Sequence, residues 1–262
     1  MNKTTIFAIP ALVMACAALS ACSGGSGGGT ADVGVGNPTT PVTPTPDTPA
    51  AVKLADAQGF WSATLSATSS ASAVILPNGQ AWVVYQTGST ITALAQATLS
   101  LNGTTYTSSG KYYSLPAGAV QDYSFSGNLI AGSPGTLANS VTVGSGTPTA
   151  VIWTYSKTYE TPAVQGSVQG RWSGQQGADS LLWDIDAAGK LAGTSTTGCT
   201  YSGSITPNAN PVAVLDVAVT ENCAGASKIL SGIATLNAAK TGMSLAYTTG
   251  AGTQGGVVVL GK

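Results

Sequence analysis

The sequence predicts an all-β protein: two eight-stranded antiparallel up-and-down barrels in tandem, carried behind a disordered tether. Three observations predict it. From residue 56 to its end the 262-residue chain is short-strand material with regularly spaced turn signals and no run of helical periodicity. A motif at the start of that region, "QGFWSA" (58–63), returns as "QGRWSG" (169–174). Ahead of it, residues 22–55 are rich first in Gly and Ser and then in Pro and Thr, a composition that cannot bury a core.

The first 21 residues, "MNKTTIFAIPALVMACAALSA", combine a short leading region carrying Lys3, an apolar stretch from Ile6 to Leu19 and small residues before Cys22. That is the profile of a secretory signal peptide. Its apolar stretch is too short to span a bilayer comfortably. Leu19-Ser20-Ala21-Cys22 resembles the bacterial lipoprotein signal, which implies cleavage after Ala21 and lipidation of Cys22. Ser23, being neither Asp nor charged, implies the outer membrane as destination, with the body on its periplasmic or its surface side. The membrane would then be a partner through acyl chains, each buried methylene contributing about 0.8 kcal/mol.

The tether opens with "SGGSGGGTADVGVGN", a flexible coil, and continues with "PTTPVTPTPDTPA", whose prolines at 38, 41, 44, 46 and 49 stiffen and extend it. Whatever folds downstream therefore works at a distance from its anchor.

With Cys16 leaving in the signal and Cys22 carrying lipid, Cys199 and Cys223 remain as a pair in an oxidising compartment. A disulfide is the natural reading. The rival, a two-cysteine metal site, lacks further thiols and any histidine to complete a structural zinc set.

Charge excludes one class of partner. Loss of Lys3 leaves 8 basic and 10 acidic residues, a net charge near −2, and no Lys or Arg cluster exists. Nucleic-acid binding needs a basic footprint that this chain does not have. The absence of histidine removes the usual near-neutral base and the commonest metal ligand, so no catalytic residue, metal or cofactor is assigned. The obvious carboxylate pair, Asp184 and Asp186, belongs on the outer face of a strand, and the "DIDAAG" segment lacks the later acidic ligand of a calcium loop. Nucleophile-elbow, phosphate-loop and dinucleotide signatures are absent in their required strand-to-helix contexts.

The repeat fixes the domain plan. Trp61 stands 18 positions before Gly79, and Trp172 stands 17 before Gly189, in each case across a strand, a tight turn and the start of a second strand. Agreement in motif and spacing indicates duplication. The first unit covers 56–162 and the second 163–262. Strands of the second are expected at 170–175, 180–186, 190–196, 200–206, 212–221, 228–237, 243–250 and 255–261, joined by short links typical of antiparallel neighbours. Eight strands suffice to close a barrel. In the first unit they are expected within 60–66, 72–77, 81–86, 93–101, 105–114, 122–130, 139–144 and 150–159.

Alternation assigns the faces. Leu181, Trp183 and Ile185 oppose Asp184 and Asp186; Leu215, Val217 and Val219 oppose Asp216; Leu236, Met243, Leu245 and Tyr247 complete the interior of the second barrel. Cys199 at the start of the fourth strand and Cys223 at the end of the fifth fall at one rim.

A glycine, one variable residue and a tryptophan on the first strand of such a barrel resembles the opening of the calycin group: lipocalins, avidins and the small barrels of proteobacterial surface lipoproteins. The stretch "GRWSGQQGADSLLWDIDAAGKLAGT" is similar in flow to the first hairpin of avidins, with Gly170, Trp172, Gly189 and Gly193 as landmarks, while the first unit matches through Gly59, Trp61 and Gly79. The resemblance implies that Trp61 and Trp172 plug one end of their barrels. Two functions stand open. One is a non-catalytic outer-membrane lipoprotein that binds a protein or glycan, resembling the barrel domains of host-factor-binding and transferrin-binding lipoproteins. The other is a carrier of a small apolar ligand inside one barrel, for which Trp183 and Tyr247 are the candidate contacts.

Overall fold

The structure, a computed structural model, describes residues 50–116, 118–132 and 136–262. The signal segment 1–21, Cys22 and residues 22–49 of the tether lie outside the described residues.

Sixteen strands follow in order: β1 (Gly59–Thr64), β2 (Ser69–Ile75), β3 (Gln80–Thr87), β4 (Thr90–Asn102), β5 (Thr105–Ser114), β6 (Val120–Asn128), β7 (Thr136–Val143), β8 (Thr149–Ser156), β9 (Gly170–Gln176), β10 (Asp179–Ile185), β11 (Lys190–Ser195), β12 (Thr200–Pro207), β13 (Leu215–Cys223), β14 (Ala226–Leu236), β15 (Gly242–Thr249) and β16 (Gly255–Gly261). The first eight form one closed barrel and the last eight another. Each strand pairs antiparallel with its chain neighbours, and the last of each set returns to the first: β8 to β1, β16 to β9. The predicted fold class is therefore the observed one, two barrels in tandem.

Period-two alternation builds both interiors. Barrel 1 turns Trp61, Ala73, Ile75, Val83, Phe125 and Trp153 inward, and barrel 2 turns in Trp172, Trp183, Ile185, Leu215, Met243 and Leu260. Burial of an aliphatic or aromatic side chain at such a position is worth about 1.5–3 kcal/mol.

The two barrels open in the same way. Each first strand is preceded by a single helical turn, Leu54–Ala57 and Gln165–Val168. Each motif tryptophan donates its indole N–H back to the last residue of that turn: Trp61 Nε1 to the Ala57 carbonyl at 3.0 Å, Trp172 Nε1 to the Val168 carbonyl at 2.6 Å. Gly79 and Gly189 take φ of +83° and +87° in the hairpin turns after β2 and β10. Their carbonyls accept from Leu99 and Ile205, both at 2.9 Å, so the turn is tied to the fourth strand of its barrel. A methyl at Gly189 would lie 2.7 Å from the Ile205 carbonyl oxygen, and the left-handed backbone would strain any side chain there.

Alternation alone does not account for a third apolar layer. Trp82, Leu94 and Tyr113 project outward from β3, β4 and β5 yet are buried, packed with Ile233 and Ala246 of barrel 2. Tyr159, Val212 and Val214 from the connecting segments complete the layer. The expected strand 212–221 begins only at Leu215 because residues 212–213 are engaged elsewhere: Ala163 N–H donates to the Val212 carbonyl and Ala213 N–H to the Tyr159 carbonyl, both at 2.9 Å. The two barrels thus share a core of their own, and the Tyr113 hydroxyl donates across it to the Gly252 carbonyl at 3.0 Å.

Candidate functional site

Three places on the barrels could carry function: the bases, where the motif tryptophans sit, the disulfide rim of barrel 2 and the mouth of barrel 1. Each is built from the strands that reach it.

At the bases, Trp61 is 3% exposed and Trp172 0%. Trp61 meets Tyr155 edge-on at 5.3 Å. Trp172 is covered by the C-terminal residue, Lys262, whose ammonium stands 4.7 Å from the ring centroid and donates to the Ser167 carbonyl at 2.8 Å. Both rings are enclosed by protein, and their single polar atom is satisfied.

The rim of barrel 2 holds the Cys199–Cys223 disulfide, which joins the residue before β12 to the last residue of the neighbouring β13. Glu221 lies beside it and accepts from the Tyr201 hydroxyl at 2.9 Å. Both sulfurs are consumed in the S–S bond, so these three residues do not form a metal-ligand set. Trp183, one of the candidate ligand contacts, is 2% exposed and packs 5.5 Å from Tyr201. Gly193 lies directly against its ring: a methyl there would come within 2.3 Å of Trp183 Cδ1. Tyr247, the other candidate, is half-buried against the same core, and its hydroxyl accepts from Gln176 Nε2 at 2.7 Å. These side chains fill barrel 2 and leave no ring face open to a ligand at Trp183.

The expected carboxylate pair is placed on the outer wall with structural duties. Asp184 takes a two-pronged bond from Arg171, at 3.0 and 3.1 Å. Asp186 caps its turn, accepting from the N–H groups of Ala188 and Lys190. Neither is aimed at a cavity.

Asp179, not singled out in the sequence, sits at the same rim as the disulfide. Partial desolvation pushes its carboxyl up, but hydrogen bonds from the side chains of Thr196, Thr197 and Ser195 and from the Thr197 N–H outweigh that and hold it down at about 2. A carboxyl with a depressed folded-state pKa stabilises the fold fully above its unfolded value, about 3.9, and loses that contribution as the pH falls through the folded one. The wild-type melting temperature is therefore expected to fall between about pH 4 and pH 2 more steeply than that of Asp179→Asn, whose amide does not titrate. Parallel pH profiles for the two proteins would remove Asp179 from the rim's acid response.

The mouth of barrel 1 is different. The interior below it is filled; a void of about 10 Å³ among Trp61, Ile75, Tyr123, Phe125 and Trp153 is at the lower limit for one water. Above that floor, three tyrosines meet. The Tyr85 and Tyr123 hydroxyls are 2.8 Å apart, Tyr112 stacks on Tyr123 at 6.4 Å, and Tyr85 tilts against Tyr112 at 5.6 Å. Burial pushes Tyr85 up to about 12 despite its bond to Tyr123, and burial also raises Tyr112 and Tyr123, so all three are neutral phenols. Tyr85 and Tyr112 form one wall of a cleft of 520 Å³ whose other walls come from Val141, Val143, Val151 and the start of β8. The sequence carried a signal for this group: each tyrosine lies in step with inward residues of its strand, Tyr85 with Ala81 and Val83, Tyr123 with Phe125.

Among the described residues no helix is long and apolar enough to cross a membrane. No family model matches the chain, and no curated protein matches it. Among solved structures the chain is similar to isotype 1 transferrin binding protein B from serogroup B Neisseria meningitidis, at 10% identity and a TM-score of 0.25 over 74% of this chain. The match spans 65% of that protein's chain.

Proposed function

We propose that this chain is a non-catalytic lipoprotein of the outer membrane, anchored through Cys22 after removal of residues 1–21, whose barrel domains (56–162 and 163–262) bind a protein or glycan at their outer surface. One observation carries the reading: the chain's own side chains occupy the barrel interiors, with Trp172, Trp183, Met243 and Leu245 fully buried in barrel 2 and Trp61, Phe125 and Trp153 in the core of barrel 1. A barrel filled in this way presents its recognition chemistry on its wall and loops. Two carboxylates are held in ion pairs on the outer wall, Asp184 with Arg171 and Asp122 with Lys111.

Two measurements test the reading. Growth with a clickable fatty acid should label the wild-type protein in the outer-membrane fraction, and Cys22→Ser should abolish the label; label persisting in Cys22→Ser would defeat the anchor. The Cys22→Ser chain, applied to arrays of glycans and of secreted proteins, should give saturable binding to a partner, and that binding should survive filling of the barrel 1 cleft by Thr149→Trp. Binding lost in that variant would move recognition from the wall into the cleft.

A further inference from the structure

The two strands that close barrel 1 stay together only briefly. β1 and β8 pair over Phe60↔Ser156, Trp61↔Tyr155 and Ser62↔Thr154, whereas the neighbouring β4 and β5 hold register from Ala93↔Ser114 to Asn102↔Thr105. Beyond Ser62 and Thr154, β1 runs on to Thr64 and β8 extends back to Thr149 without pairing to each other. The 520 Å³ cleft lies at this parting: Thr64 and Leu65 line it from one strand, Ala150, Val151 and Ile152 from the other, and Tyr85 and Tyr112 close it at the back. We propose that this split seam is a binding site for a neutral small molecule with a flat apolar ring system and one hydrogen-bond acceptor.

Size, lining and polarity each support that class. The volume falls within the range of about 300–1,000 Å³ usual for small-molecule pockets. Its walls are aliphatic at Val141, Val143 and Val151 and phenolic at Tyr85 and Tyr112, a surface suited to the face and edge of a ring. Among the described residues no Asp, Glu, Lys or Arg lines it, so a charged ligand would give up its hydration with no counter-charge in return. Tyr85 and Tyr123 share one hydrogen bond, which uses the hydrogen of one hydroxyl and a lone pair of the other. Tyr112 makes no such bond among the described residues and, as a neutral phenol, supplies the donor for the ligand's acceptor. Barrel 2 closes on an equally short seam, Val259↔Gln175, Leu260↔Gly174 and Gly261↔Ser173, and differs in what lies behind it: Trp183, Tyr201 and Tyr247 pack into its core where barrel 1 leaves a cleft. The site is independent of the surface-binding reading above, since either can hold without the other.

The test is fluorescence titration of the Cys22→Ser chain, which carries no acyl chain to compete, with 6-propionyl-2-dimethylaminonaphthalene, a neutral two-ring dye with a ketone acceptor. Saturable binding of one dye per chain with blue-shifted emission is expected. The anionic dye 8-anilinonaphthalene-1-sulfonate should bind at least about tenfold more weakly. Thr149→Trp, an exposed position in step with the inward Val151 at the cleft, should lower affinity for the neutral dye about tenfold or more, and Tyr112→Phe should lower it about fivefold, the worth of one hydrogen bond. Melting curves check that each variant is folded, and Thr147→Asp, in the loop at the cleft's edge, gives a second block by adding charge. Absence of saturable binding, equal binding of both dyes, or unchanged affinity in Thr149→Trp and Thr147→Asp would overturn the site.

Discussion

Trp172→Ala should lower the unfolding free energy by about 3–5 kcal/mol, the usual cost of trimming a large core aromatic to a methyl. The ring is completely buried, and its loss opens a cavity at the base of barrel 2 between the Gln165–Val168 turn and Lys262. A second loss follows, because the Val168 carbonyl gives up the indole N–H that it accepts at 2.6 Å. Chemical denaturation of wild type and variant, read by near-ultraviolet circular dichroism, measures the difference. A variant as stable as the wild type would mean that Lys262 and the helical turn collapse to fill the space, and that the tryptophan is not what closes the barrel.

Replacing both Cys199 and Cys223 by Ser should cost about 3.5 kcal/mol, the chain-entropy value for a closed loop of this length. The bridge spans a sequence separation of 24 and ties β12 to β13 at the rim. Reduction of the wild-type protein should produce the same drop in denaturation midpoint as the double substitution, because both release the same loop. If neither treatment moves the midpoint, the strand ladder from Thr200↔Asn222 to Pro207↔Leu215 already restrains that loop in the unfolded ensemble. The two losses arise at separate places, one at the base and one at the rim, and should add in the triple variant.

Barrel 2 was legible because its strands alternate cleanly. Leu181, Trp183 and Ile185 all point inward as the period of two requires, and short links leave antiparallel neighbours as the economical arrangement. Barrel 1 was less so. Its second strand starts at Ser69, three residues before the expected start at 72, since the serines there carry no hydrophobic signal. The layer between the barrels escaped because it is made by outward-facing residues. The run Ala81-Trp82-Val83 did record burial on both faces, but a sequence does not say which neighbour covers the outer one. The mouth cleft was hidden for a different reason. Where two strands stop pairing depends on the stagger of the whole barrel, a property of all eight strands together and of none singly.

The three-pair seam of barrel 1 also orders events in time. Phe60 and Ser156 are 96 positions apart, so their contact closes the longest loop in the barrel, whereas every other strand pair forms between chain neighbours. Loops of that length carry the greatest entropic cost and are completed last during folding. Until β8 has left the ribosome, β1 presents a bare edge, and the tether ahead of it, polar and studded with proline, is poorly suited to pair with that edge. The same contact, supported by so few ladder bonds, should release early when the folded protein breathes, as should the equally short seam between β9 and β16. Among the strands, amide exchange should therefore run fastest along the facing edges of β1 and β8 and of β9 and β16, and slowest in β4 and β5, where the register is longest.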